Sequence, residues 1–239
     1  MQLELATPGE LEAVLRDRPA VVVPVGSVEW HDEHLPLGFD TIKIHELAVR
    51  IAERAGCAAA PPIFYGYPKH FHQRKMMGTL CPDLEALRGY VKTVGSSLLQ
   101  IGFRVMLLLS GHYERSQIYL LKLTAEELMD EHPQTVVFAH MDPDYTVTSG
   151  VSHNYREDTV EPGFHRGDHA GPFETSLMMH LRPELVRTEM LGKVKTETTR
   201  GDFAPSAEAG RELTEMIVSK AAEEIAHCLR TGQKPPGLL

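Results

Sequence analysis

The sequence predicts an α/β fold built on a mainly parallel sheet. Short apolar runs alternate with amphipathic segments along the chain, in the order strand, helix, strand, helix, strand, helix, strand. The clearest runs, AVVVPVG at 20–26 and RVMLLLSGH at 104–112, are apolar throughout rather than at every second residue. That pattern marks strands covered on both faces.

Each element has its own signal. Residues 8–17 (PGELEAVLRD) form a short helix with Pro8 at its start, where the missing N–H costs nothing. The run at 20–26 is the first buried strand and ends in glycine. Residues 41–55 (TIKIHELAVRIAERA) space their apolar side chains by about 3.6 and are expected to be helical. CAAAPPI at 57–63 is a weak strand candidate, followed by a loop with glycine and histidine. A long amphipathic helix is expected over 83–101, with Asp83 as its N-cap. The strand at 104–112 runs directly into SGHYE, then a helix covers 115–131 and a strand 135–140. Residues 142–171 are polar and rich in Gly, Pro, His and Asp, which predicts a long loop. Helices at 172–181 and near 206–231 complete the chain, and with no linker signal residues 1–239 are read as a single domain.

Composition narrows the function classes. A formal charge of −9 argues against a nucleic-acid partner. The three cysteines, Cys57, Cys81 and Cys228, make no CxxC pair or zinc-ribbon spacing. No apolar run approaches the ~18 residues needed to cross a bilayer, so no membrane partner is expected. The N-terminal residues lack a signal-peptide layout. The expected location is the cytoplasm.

Three clusters carry the chemistry, each after a strand or at the opening of a helix, where open α/β sheets bind ligands. In GSVEWHDEHLPLGFD at 26–40, Glu29 and His31 are two apart, so an extended backbone points both the same way. With Asp40 they make an N/O ligand set suited to Zn, Mn or Fe. Asp40 alone also reads as the N-cap of the next helix. In SGHYERS at 110–116, His112 and Glu114 repeat the two-residue spacing, and Gly111 permits a sharp turn. The alternative is that His112 only caps the next helix. In GDHAGPFETS at 167–176, Glu174 falls in the first turn of a helix opened by Pro172, which a helix dipole also explains. His169 beside it has the chemistry of a general acid/base.

With these clusters the chain resembles the creatininase (creatinine amidohydrolase) family. The family's motifs take the forms GSxEQHGPHLPLxxD, NGHGGN or NGHYEN, and HAGxxETS. Here they read GSVEWHDEHLPLGFD, SGHYERS and HAGPFETS, in the same order over most of residues 20–182. A weaker match is YGYPKHFHQRKMMGT at 65–79. The resemblance implies a three-layer α/β sandwich with a parallel sheet and a site for two divalent metal ions, Zn, Mn or Fe. It implies Glu29, His31, Asp40, His112 and Glu174 as metal ligands, with Asp40 bridging. His169 matches the catalytic histidine. Glu114 matches a glutamate that many relatives replace by glycine, and it stands as a secondary ligand through water or a catalytic carboxylate. Trp30, Tyr113, His70 and His165 are the candidate substrate-binding residues. A homo-oligomer, hexameric by resemblance, and a small-molecule substrate follow from the same source.

The departures bear on substrate. Trp30, Asp32 and Glu33 replace the family's Gln, Gly and Pro, and Ser110 replaces Asn. Trp30 is the only tryptophan, whereas creatinine-cleaving members enclose their substrate with tryptophans from the later loop. Other relatives act as a deformylase on a ribosylaminopyrimidine phosphate or as a peptidase in mycofactocin maturation. The expected activity is hydrolysis of a C–N amide bond in a small molecule. The competing readings are a metal-dependent hydrolase or lyase of a sugar-like substrate and a non-catalytic binding descendant. The absence of GxSxG argues against a serine hydrolase built on Ser27, and the absence of GxGxxG after any strand argues against a nucleotide-binding Rossmann unit.

Overall fold

The computed structural model describes residues 1–146, 169–192 and 204–235. Four strands, β1 (Ala20–Val25), β2 (Ala58–Ala59), β3 (Val105–Ser110) and β4 (Val136–Met141), form one sheet in the order β2-β1-β3-β4. Every pairing is parallel.

Parallel strands need crossover connections, and helices supply them. The helices are α1 (Pro8–Asp17), α2 (Phe39–Ala55), α3 (Lys69–Gln73), α4 (Leu84–Gln100), α5 (Arg115–Glu131), α6 (Pro172–Leu181) and α7 (Ala207–Thr231). Successive strand residues feed opposite cores. Val22, Leu107, Leu109 and Phe138 pack with Ile44, Leu177 and Ile217, on the side of α2, α6 and α7. Val21, Val23, Met106, Leu108 and Val137 pack with Val91, Leu99 and Leu121, on the side of α4 and α5. The molecule is thus three layers, and the double burial explains the uninterrupted apolar runs. Between α6 and α7 the chains touch so closely that a Cβ on Gly210 would lie 1.8 Å from the Ser176 carbonyl oxygen.

Local chemistry sets the helix ends. Thr7 and Glu10 close a capping box over Pro8. The Asp83 side chain accepts from the Ala86 N–H as an N-cap. Three of the expected elements are corrected at the helix side and the sheet edge. The 57–63 segment is a two-residue strand plus a bridge from Ile63 to Val25. The loop after it contains α3, too short to show periodicity. The helix expected from residue 41 starts at Phe39 with Gly38 as N-cap, so Asp40 sits inside the first turn and is not a cap.

Strand order decides where a ligand can sit. From β1 the chain steps to β2 on one side, then crosses back to β3 on the other. Loops leaving the carboxyl ends of β1 and β3 therefore diverge and leave a crevice.

After β4 the chain enters a 3-10 turn, Asp142–Tyr145. His140 ties this turn to α7, with Nδ1 3.4 Å from Asp144 and Nε2 3.3 Å from Glu224. Tyr145 donates to Glu224 as well. Burial pushes the His140 pKa down, but the two carboxylates outweigh it and lift it to about 9. The raised value means that its contribution is full below pH ~6.5 and is lost as pH rises through ~9. His140→Gln should therefore cost about 3 kcal/mol of stability at pH 6.5, converging with wild type near pH 9.5. Thermal melts across that range check this, and a pH-independent difference would refute it.

Candidate metal centre

The loop after β1 delivers the first cluster into the crevice. Its entry is tight: a Cβ on Gly26 would lie 2.4 Å from the Thr41 Cα. Glu29 and His31 are fully buried. The His31 Nδ1 lies 3.2 Å from the Glu29 carbonyl oxygen, so its N–H is donated there. That leaves Nε2 facing Asp40 Oδ1 at 3.3 Å, Glu174 Oε2 at 3.8 Å and Glu29 Oε1 at 3.9 Å.

Asp40 arrives from the first turn of α2. Its Oδ2 accepts from the Ser27 hydroxyl at 3.1 Å and lies 3.1 Å from His112 Nδ1. β3 stops at Ser110, two residues short of the expected end, and Gly111 turns the chain. Any side chain there would meet the Asp40 carbonyl oxygen at 2.4 Å. The Ser110 hydroxyl donates to the His112 carbonyl, fixing the turn. His112 does not cap α5; the N-cap is Glu114. The His112 Nδ1 reaches Glu29 Oε1 at 2.8 Å without hydrogen-bond alignment. Glu174 lies in the first turn of α6, as expected, with Oε2 accepting from the Ala170 N–H.

The five residues named from the sequence converge. Glu29, Asp40 and His112 form one group whose ligand atoms lie within 4.8 Å of one another, and His31, Asp40 and Glu174 form a second. Asp40 belongs to both. A third group joins Glu29, His31 and His169. Both Glu29 carboxylate oxygens and His31 Nε2 are buried with no hydrogen-bond partner among the described residues. Buried carboxylates left without partners are costly unless a cation is bound. The donor set is all N and O, which suits Zn, Mn or Fe. On both counts the residues fit divalent ions.

Electrostatics record the crowding. Burial pushes the Glu29 carboxyl up, and His112 only partly offsets it. Burial would raise Asp40 too, yet His31 and His112 hold it well below the usual carboxylate range. His31 is lifted to about 9 despite burial, chiefly by Asp40.

The other candidates fall into place less uniformly. His169 Nε2 sits 2.5 Å from the Trp30 carbonyl oxygen, and Nδ1 lies 3.9 Å from Glu29 Oε1. Its ring stacks on Phe71 and lies against His31, centroids 4.1 Å away in each case. Burial, then the neighbouring His31, keeps its pKa well below the ordinary histidine value. Trp30 packs on Phe71 and His169, at the edge of the cluster. Glu114 lies outside the three groups, and its carboxylate accepts from the His70 N–H at 3.2 Å. His70 is exposed and its ring meets Phe71 edge-on. Tyr113 turns its hydroxyl inward to Lys43 and Asp142. His165 lies outside the described residues.

Three supporting residues escaped sequence reasoning. Gln117 donates to the Gly26 carbonyl and the Ser110 hydroxyl and accepts from the Tyr67 N–H, joining three loops. Lys43 and Asp142 are fully buried beside the cluster. A lysine within the apolar stripe of α2 and an aspartate directly after a strand were the available signals.

A parallel α/β sandwich that gathers acidic and histidine side chains at its strand ends is a frequent frame for hydrolases. The family model for creatininase, described as creatinine amidohydrolase, matches residues 4–225. The chain belongs to the creatininase family of hydrolases. It is 29% identical over 235 residues to the creatinine amidohydrolase of Pseudomonas putida, covering 88% of each chain. It is 27% identical over 175 residues to the 3-dehydro-scyllo-inosose hydrolase of Thermotoga maritima, covering 73% of this chain but 54% of that one. A mycofactocin precursor peptide peptidase of Mycobacterium ulcerans is 28% identical over 200 residues, covering 80% of this chain and 66% of that one. Among solved structures, a Zn-Zn type creatininase variant superposes with a TM-score of 0.75 at 23% identity, covering 95% and 97% of the two chains. A manganese creatininase gives 0.71 at 25% identity with the same coverage.

Proposed function

We propose that this protein is a metal-dependent amidohydrolase that cleaves a C–N amide bond, cyclic or formyl, in a small molecule. The observation that carries the reading is the pair of three-residue groups sharing Asp40, with buried oxygen and nitrogen atoms left unpartnered. Glu29, Asp40 and His112 would hold one divalent ion, and His31, Asp40 and Glu174 the other. Such ions supply Lewis acidity, which makes water acidic enough to deprotonate near neutrality and polarises a carbonyl oxygen.

The chain's own residues supply the rest. Once water has added to the carbonyl carbon, the C–N bond breaks only if the nitrogen leaves with a proton. His169 is the proposed carrier. With its Nε2–H donated to the Trp30 carbonyl, Nδ1 is left facing the cluster with a free lone pair. It can take the proton that the water gives up and return it to the departing nitrogen. Phe71 and Trp30, packed on the His169 ring, fix its orientation and shield it from bulk water. Glu114 stands at the edge of the site, where its carboxylate can act through a water.

The test is metal analysis of purified protein, then a screen of cyclic amides and formamides after chelation and after addition of Mn or Zn. Two ions per chain and chelator-sensitive hydrolysis are expected; metal-independent hydrolysis would refute the reading. A second reading, hydrolysis of a sugar-like ring, is favoured by the likeness to the inosose hydrolase and by the single tryptophan. Turnover of polyhydroxylated cyclic 1,3-diketones with none of any amide would select it.

The oligomeric reading has support of its own. Leu37, Phe64, Tyr65, Met77 and Leu80, in the segments edging the site, are exposed apolar side chains. A homo-oligomeric mass by light scattering at micromolar concentration is expected, and a monomer would refute it.

A further inference from the structure

Lys43 is fully buried one turn beyond Asp40 on α2. Its Nζ donates to the Gly111 carbonyl at 3.0 Å and to the Tyr113 hydroxyl at 2.5 Å. It lies 3.3 Å from Asp142 Oδ2, which also accepts from the Tyr113 hydroxyl at 2.9 Å. The ammonium sits 4.3 Å from the centre of the Tyr113 ring and 5.0 Å from that of Phe39. One cation thus grips the residue before His112 and the residue after it.

A buried charge is expensive, and an apolar side chain of similar length would fill the space on stability grounds alone. The contacts point to what the charge does instead. Asp142 comes from the end of β4, Gly111 and Tyr113 from the end of β3, and Lys43 from α2, the helix carrying Asp40. The network locks three elements at the point where His112 must meet Glu29 and Asp40. Among the described residues Lys43 itself contacts Gly111, Tyr113 and Asp142, all on the His112 side, while Glu174 and Asp40 reach Tyr113 only through their charges.

We infer that Lys43, braced by Asp142 and Tyr113, is a positioning residue that sets the His112 imidazole, and so acts chiefly on the Glu29–Asp40–His112 group rather than on the His31–Asp40–Glu174 group. The inference rests on the proposed ligand role of His112.

The test measures Mn²⁺ binding to each site by calorimetry in wild type, Lys43→Met, His112→Ala and the double variant. Lys43→Met should weaken one Mn²⁺ site by about 10–100-fold, the range for groups that orient a metal ligand. The other site should stay within about threefold of wild type. Adding Lys43→Met to His112→Ala should cost nothing more, since the two act as a unit. Lys43→Met strands the Asp142 charge, so Lys43→Met/Asp142→Asn, which removes both charges, is measured alongside as the variant expected to fold. Equal weakening of both sites, additive losses with His112→Ala, or unchanged affinity would each overturn the inference. A further readout is independent of metal. The ¹⁵N imidazole signals of His112 in metal-free protein should shift in Lys43→Met/Asp142→Asn while those of His31 stay put. If wild type binds fewer than two ions the proposed function fails, yet the imidazole signals still decide the role of Lys43: unmoved His112 signals overturn it.

Discussion

Asp40→Ala is expected to abolish hydrolysis and to empty both metal sites. Asp40 alone belongs to the Glu29–Asp40–His112 and the His31–Asp40–Glu174 groups. Its two oxygens face opposite ways, Oδ1 towards His31 at 3.3 Å and Oδ2 towards His112 at 3.1 Å. Alanine at this position reduces each group to two ligands, below the three protein ligands usual for a catalytic site. Losing the ions removes several kcal/mol of transition-state stabilisation, so turnover should fall by about 10³-fold or more. Asp40→Asn keeps the shape and the contact with Ser27 but halves the ligand's capacity. It should retain metal poorly and fall between wild type and alanine. Metal content by mass spectrometry checks both variants, and an Asp40→Ala protein with the wild-type complement would rule out the shared carboxylate.

His169→Ala is the second large effect, and its signature differs. The two groups that share Asp40 do not include His169, so both ions should stay. The wall formed by Phe71 and Trp30 loses one ring, so a modest stability change is expected. Removing a general acid/base costs about 10²–10⁴-fold in kcat. The loss should be greatest for substrates with a poor, strongly basic leaving nitrogen and least for activated anilides, which depart without a proton. Loss of one ion per chain would instead make His169 a ligand through the group it forms with Glu29 and His31. Loss of stability with near-normal turnover in the folded fraction would make it a brace for the start of α6. Proton transfer would then pass to Glu114 or His165.

Much of this protein was legible in its sequence because burial leaves a one-dimensional trace. β1, β3 and β4 read as uninterrupted apolar runs since helices cover both faces of the sheet, and α4 read from its spacing and its Asp83 cap. The five converging residues were legible because each lies within a few positions of a strand end or helix start. In a parallel sheet those points share one edge. Residue type and position along the chain were enough to single out the three clusters, and the resemblance to creatininases then picked Glu29, His31, Asp40, His112 and Glu174 from them.

Tertiary structure alone decided the rest, because it depends on which distant segments meet. Asp40 taken alone reads better as a helix cap; the structure begins α2 before it, and two histidines and Ser27 take its oxygens. Tyr113 read as facing substrate, yet Lys43 and Asp142, 70 and 29 positions away along the chain, draw its hydroxyl inward. α3 was hidden because five residues cannot display a helical period, and its Phe71 reaches His169 only through folding. The order β2-β1-β3-β4, which opens the crevice between the first and third strands, is set by crossover packing that no local pattern records. Local sequence determined which residues could hold and move charge; long-range contacts determined which of them lie together.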